Sequence, residues 1–298
     1  MSHPSGFKGT PGLRDLKAKS TRIPDGTRLA RSPGMLDRLI SRYMSQPVFT
    51  ISADAELDTA RDRLANHGVS SLAVTDGHNP VAAVISRTDL LAAGSVEVDE
   101  KHGALHLRLP RKKVREIANP DVVVVDPEVE TVRVASGRMV ERRVHRVFAS
   151  KGEHLYGVLS TRDVMRCVAD ARVTTIIDTV MSTPVQVVEA KEQIDFSVAR
   201  LRQVGTSAIV VVDQRGWPVG LLTQREALEA RGYFSADTVD LVMSPRFITV
   251  REGAALHYVA AQAVATRARH AVVVDDRQVL GVVSGLDFAG AAAEWVPS

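Results

Sequence analysis

Apolar runs and apolar stripes follow one another along this chain in a fixed order, and that order is met four times. Each round starts with a proline and a short run suited to a strand: Pro47 before Phe49-Thr50-Ile51, Pro120 before residues 122–125, Pro184 before 185–188, and Pro245 before 247–250. Proline ends a helix and favours an extended neighbour, so each one marks a boundary. An amphipathic helix comes next. Its apolar stripe is Leu57, Ala60 and Leu64 in the first round, Val132, Ala135 and Met139 in the second, Ile194, Val198 and Leu201 in the third, and Leu256, Val259 and Ala263 in the fourth. At helical spacing these residues share one face, which makes them core.

Two strands joined by a tight polar turn complete each round. They are 72–75 and 81–85 across Asp76-Gly77, 144–149 and 155–159 across Lys151-Gly152, 208–212 and 219–222 across Arg215-Gly216, and 271–274 and 279–283 across Asp275-Asp276. Every hairpin runs into Ser/Thr-x-x-Asp/Glu: Ser86 with Asp89, Ser160 with Asp163, Thr223 with Glu226, and Ser284 with Asp287, the acids lying 74, 63 and 61 positions apart. The pattern predicts an α/β chain of the α+β type, built from four small units that each hold a mixed sheet and packed helices. A unit of this size exposes one sheet face, so the units are expected to pair.

The Ser/Thr-x-x-Asp/Glu tetrapeptides have two compatible readings. A hydroxyl at a helix N-cap and a carboxylate three residues on satisfy two orphan N–H groups of the first turn. A helix start is also where an anion or a hydroxyl-rich ligand finds donors. The residues leave both readings open.

Charge changes the picture at one end. Residues 1–35 carry seven basic side chains against two acidic ones, whereas the remaining 263 carry 31 basic and 33 acidic. The basic arm at 1–34, rich in Pro and Gly, reads as extended, and nucleic acid is its alternative partner. Residues 94–115 break the regular spacing with Glu97, Asp99, Glu100, Lys101, Arg108, Arg111, Lys112, Lys113 and Arg115. They read as a charged insertion, a solvated linker or a partner surface. Cys167 is the only cysteine, which rules out an intrachain disulfide and suits a cytoplasmic setting. Apolar runs fall far short of the roughly 20 residues of a membrane helix, so no membrane association is expected. Enzyme signatures are missing as well. The sequence has no Gly-x-x-x-x-Gly-Lys-Ser/Thr loop, no Gly-x-Gly-x-x-Gly and no Gly-x-Ser-x-Gly, and His102 and His106 flank Gly103 without the glutamate of a zinc-protease motif. No metal and no catalysis are expected.

The openings Met44-Ser45-Gln46-Pro47, Met181-Ser182-Thr183-Pro184 and Met243-Ser244-Pro245, the stretches Val144-His145-Arg146-Val147 and Arg269-His270-Ala271-Val272, and the Gly-Val-Leu-Ser-Thr-Arg-Asp run at 157–163 resemble the CBS-domain family, named after cystathionine β-synthase. The resemblance runs from about Met35 to Ala293. It implies four CBS motifs paired into two pseudo-two-fold Bateman modules, similar to the nucleotide-sensing γ subunits of AMP-activated protein kinases. The modules would be 36–173, with repeats at about 36–95 and 112–173, and 174–296, with repeats at about 174–235 and 236–296. It further implies a non-catalytic sensor for AMP, ADP or ATP, with S-adenosylmethionine the weaker candidate, acting on a protein partner and self-associating as a dimer. A structural oligomer with empty clefts is the remaining alternative.

Carried onto this chain, the resemblance assigns ribose and phosphate contacts to Ser86, Asp89, Ser160, Asp163, Thr223, Ser284 and Asp287. Glu226 departs from the pattern, and its longer side chain puts a direct ribose contact by the third repeat in question. Phosphates also need cations. Arg143, His145 and Arg146 lead into the second repeat's hairpin, and Arg267, Arg269 and His270 into the fourth's, while the first and third repeats have Ser70-Ser71 and Thr206-Ser207 there. Adenine is expected beside the leading strands, near Thr50 in the first repeat. At most one well-bound nucleotide per module is expected.

Overall fold

The computed structural model describes residues 34–98, 105–204, 206–230, 233, 237–276 and 278–296. The basic arm up to residue 33 and His102 lie outside the described residues.

The first unit is β1 (Thr50–Ser52), α1 (Leu57–Asn66), β2 (Ser71–Thr75), β3 (Ala83–Ser86) and α2 (Arg87–Ala93). After a hairpin of β4 (Ser95–Val98) and β5 (Leu105–Arg108), the second unit is β6 (Val124–Val125), α3 (Val132–Glu141), β7 (Arg146–Lys151), β8 (His154–Ser160) and α4 (Thr161–Asp170). The third is β9 (Val187–Glu189), α5 (Ile194–Val204), β10 (Ala208–Val212), β11 (Pro218–Thr223) and α6 (Gln224–Glu229). The fourth is β12 (Ile248–Arg251), α7 (Leu256–Thr266), β13 (His270–Asp275), β14 (Gln278–Ser284) and α8 (Gly285–Glu294). In every unit the leading strand runs parallel to the middle one, which pairs antiparallel with the last. Each hairpin turn has a residue at positive φ: Gly77, Gly152, Gly216 and, in the fourth unit, Asp276. Predicted elements are all present, with ends shifted by at most two residues.

The openings of the units are placed differently from the sequence reading, which assigned each to the unit it precedes. They are exchanged within pairs. The backbone of Leu39 bridges Thr131 of the second unit, and Ile40 N–H donates to Glu130. In return Lys113 bridges Glu56 of the first unit, and Val114 N–H donates to Ala55. The same crossing links Ile176 with Ala255 and Thr238 with Gln193 in the third and fourth units. The cause is steric and is visible at three glycines. Met44, Met181 and Met243 lie against Gly157, Gly281 and Gly220 of the neighbouring unit's last strand, so close that an added Cβ would have to displace them. The fourth crossing has Ala118 and Ala83 instead, the positions just before the bridged pair Asn119 and Val84.

Sheets meet within the pairs and helices meet between them. Ala73 and Val81 of the first unit pack on Phe148 of the second, while Val210, Val212 and Leu221 of the third pack on Val272, Val274 and Val282 of the fourth. The largest core joins α3 and α4 to α7 and α8. The first and third units keep separate helical cores and touch mainly through α2 and α6.

The insertion is folded where it is described. β4 and β5 form an antiparallel hairpin, and Leu107 and Leu109 pack onto the first unit's core. Gly94 permits this, since a Cβ there would stand 2.7 Å from the carbonyl oxygen of Arg108. A purely solvated linker is therefore excluded for this stretch. No helix among the described residues is long and apolar enough to cross a membrane.

Candidate functional site

Each Ser/Thr-x-x-Asp/Glu motif stands where a last strand turns into a last helix, and all four form capping boxes. Ser86 donates to Asp89 Oδ2 from its N–H and its hydroxyl, both at 2.7 Å. Ser160 does so to Asp163 Oδ2 at 2.9 and 2.6 Å, and Ser284 to Asp287 Oδ2 at 2.6 and 2.8 Å. Thr223 caps with Glu226 through the same two donors. The cap thus uses one carboxylate oxygen and leaves the other to its surroundings.

Those surroundings differ. Asp163 is 3% exposed, and its Oδ1 is met by the Ser45 hydroxyl and by Arg166 Nη1, each at 3.4 Å. Glu226 is 5% exposed. Asp89 and Asp287 are half-buried, and their Oδ1 atoms have no hydrogen bond among the described residues.

Beside these helix starts the cations gather. Arg146 pairs in register with Ser160, and His270 with Ser284, so His145 and Arg269 flank the same two caps. The starts of α4 and α8 abut: a Cβ on Gly285 would lie 2.6 Å from Thr161 Oγ1. Arg269 feels the like charges of Arg225, Arg162 and Arg87, which come from the other three units. Its neighbourhood displaces enough water to lower its pKa, the largest effect, although the side chain retains solvent contact. Crowding by neighbouring groups, then the charges of Arg146 and Arg269, also lower the pKa of His145, although its side chain is exposed. Arg146 is brought down to about 10, mainly by burial and then by Arg269, with Asp89 acting the other way. His270 is pushed down to about 4 by burial and then by Arg269 and His145. It is neutral at pH 7, whereas the arginines remain charged.

Two further sequence candidates lie at the end of α3 and in β1. Arg143 is exposed at the end of α3 with φ of 51°, a helix-terminating turn that Arg267 repeats after α7. Thr50 is paired with Ala73, and its carbonyl accepts a 2.7 Å bond from Arg63 Nη1. Sequence reasoning did not single out Arg87, Arg162 and Arg225. Their position inside the tetrapeptides, at the first or second helical residue, was the available signal. Among the described residues no group of three or more His, Cys, Asp or Glu is placed to hold a metal. Cys167 is fully buried, which pushes its thiol up to about 11 and suppresses thiolate chemistry.

A CBS domain model matches residues 40–95, 114–170 and 239–294. The chain belongs to the CBS-domain family. Its third repeat lies outside the matched stretches yet has the same order of elements. The crystal structure of protein MJ1225 from Methanocaldococcus jannaschii is similar over 85% of this chain and 99% of its own, at 19% identity and a TM-score of 0.67. A conserved protein from Pyrococcus horikoshii covers 86% of this chain and 100% of its own, at 18% identity and a TM-score of 0.60. Among curated proteins, an uncharacterised 33.4 kDa protein of a Thermofilum pendens ribosomal RNA operon is 26% identical over 201 residues, 63% of this chain. A homoserine O-acetyltransferase of Methanosphaerula palustris is 27% identical over 129 residues, 43% of this chain. The matched regions span 61% and 26% of those two relatives.

Proposed function

We propose that this CBS-domain chain binds an adenosine nucleotide, AMP, ADP or ATP, without turning it over, and conveys the binding to a protein partner. The observation that carries the reading is the joint itself, where carboxylates with a spare oxygen stand beside Arg87, Arg146, Arg162, Arg225 and Arg269. A ribose diol can donate to such a carboxylate, and phosphate oxygens accept from guanidinium groups. Charge-assisted bonds of this kind contribute about 1.5 to 3 kcal/mol each when shielded from water. The cationic lining favours phosphorylated ligands over S-adenosylmethionine, whose sulfonium it repels.

The working units are the pairs 36–173 and 174–296. A nucleotide touching both members of a pair favours one arrangement of the two, and only its difference in affinity between arrangements can drive a response. The even-side helices are already covered inside the chain, so a protein partner, or a second copy in a dimer, is proposed to meet α1 and α5. Isothermal titration of the full chain with AMP, ADP, ATP and S-adenosylmethionine tests the reading. Saturable heat with the phosphorylated ligands is expected. Absence of binding to all of them at high micromolar ligand rejects it.

A further inference from the structure

We infer that the first repeat carries a separate surface socket, on the helix side of its sheet, for a free amino acid with an unbranched apolar side chain such as methionine. The socket owes nothing to the nucleotide reading. It lies at the one crossing of openings that has no methionine.

At the other three crossings a methionine side chain covers a glycine of the neighbouring unit's last strand: Met44 over Gly157, Met181 over Gly281 and Met243 over Gly220. A Cβ at any of those glycines would run into the methionine sulfur. The fourth crossing keeps the backbone bridge, between Asn119 and Val84, but has Ala118 and Ala83 at the two facing positions. Ala83 brings a Cβ, and Ala118 ends where a methionine would continue. A cavity of about 320 Å³ opens at this place, with Ala53, Val74, Ala83 and Ala118 among its walls. These four belong to the helix-side core of the first repeat or pack against it. The sheets of the pair meet on the opposite face, at Ala73, Val81 and Phe148. The volume lies at the small end of the roughly 300 to 1,000 Å³ of small-molecule sites, so a compact ligand fits.

The rim selects the head group. Asp76 and Arg115 border the cavity with opposite charges. Asp76 Oδ1 accepts from the N–H groups of His78 and Asn79 at 2.9 and 2.7 Å, and Oδ2 accepts from Asn79 Nδ2 at 3.0 Å, which leaves Oδ2 room for another donor. Arg115 pairs with Asp54, but both side chains are more than half exposed and Asp54 has Lys113 as a second cation, so the guanidinium can also serve a ligand carboxylate. A carboxylate alone is repelled by Asp76, and an ammonium alone by Arg115. An α-amino acid presents both charges beside one apolar chain, and methionine is the side chain that fills the corresponding place at the other crossings.

Ligand-observed NMR and thermal denaturation of the full chain with L-methionine test the socket. Saturable binding and a raised melting temperature are expected, with hexanoate and hexylamine, which each carry one of the two charges, at least about fivefold weaker. Arg115→Gln should weaken methionine binding about fivefold or more and leave the fold intact, because its ion pair is exposed. Ala83→Gly combined with Ala118→Met rebuilds the arrangement of the other three crossings. It should abolish methionine binding and leave the response to ATP as in the parent chain. No saturable methionine binding up to about 10 mM overturns the assignment, as does equal binding of hexanoate or undiminished binding by either variant. None of these results bears on the nucleotide reading, which the ATP titration tests separately.

Discussion

The second and fourth repeats are welded together, whereas the first and third barely meet, although all four share one fold. The difference lies in what the first helix of each repeat presents at its fifth residue and around it. In α3 and α7 these residues are Ser136 with Gly137 and Ala260 with Ala261, small and uncharged. Backbones can then approach, and Gly137 lies 3.9 Å from Ala293 by its virtual Cβ. In α1 the same place holds Arg61 and Asp62, and Arg61 pairs with Asp58 and Asp62 on its own helix surface. The last helices differ in length too: α4 and α8 have ten residues each, α2 and α6 seven and six. The even side therefore has both the reach and the smoothness for a joint. The odd side lacks the reach, and on α1 the smoothness as well, whereas α5 has Val198 and Ala199 at that place.

The largest test imports an odd-side feature into the even-side joint. Ala260 is fully buried in the core shared by the second and fourth repeats. Ala260→Asp would bury a carboxylate without a partner and should cost about 4 kcal/mol in urea unfolding. A loss below about 1 kcal/mol would mean that the joint is open in solution. The exchange of openings offers a second test of somewhat smaller size. A Cβ on Gly281 would lie 2.9 Å from Met181 Cβ, so Gly281→Ala should destabilise by about 2 to 3 kcal/mol. Adding Met181→Ala recreates the Ala83 and Ala118 combination of the first pair. The double variant should be more stable than the sum of its parts by about 1 kcal/mol. Strict additivity would place the methionine elsewhere.

Much of this was legible before any coordinates. Four rounds of proline, strand, stripe, hairpin and cap fixed the elements, because local spacing alone determines which face is apolar. The four caps were readable for the same reason. The exchange of openings was not, since no periodicity records whose sheet Met44 will meet. A size rule spanning the chain does record it: methionine opposite glycine three times, alanine opposite alanine once. The candidate site was legible as a set of residues but not as an arrangement. Charge singled out Arg143, His145, Arg146, Arg269 and His270 alike; the structure sets the last four beside helix caps, while Arg143 is exposed at a left-handed helix end. Nor could sequence say that Ser45 would cross over to Asp163, which sets Asp163 apart from Asp89.

A further contrast sits at one strand position, Arg146 in the second repeat and His270 in the fourth. Burial, then Arg269 and His145, take the His270 pKa from its ordinary 6.5 to about 4 in the folded chain. Between those values the unfolded chain binds a proton at this residue and the folded chain does not, so stability falls as pH drops from 6.5 toward 4. His145 shifts in the same direction and adds to the fall. The contribution of His270 should be about 2 kcal/mol, seen as a fall in the urea midpoint that His270→Gln flattens. An unchanged slope in that variant would show that carboxylate titration dominates the window.

The smallest effect is expected where the odd side faces water. Arg61 is 38% exposed in its side chain and its partners Asp58 and Asp62 59% and 61%, so their mutual attraction works in high dielectric and is screened by salt. Arg61→Ala should shift stability by less than about 0.5 kcal/mol, against about 4 kcal/mol for a charge placed at the same helical position in α7. If Arg61→Ala instead stabilised the chain strongly and drew the first and third repeats together, its charge would be what keeps the odd side apart. Small-angle scattering of that variant, compared with the parent chain, distinguishes a charge that merely decorates α1 from one that holds the two repeats open.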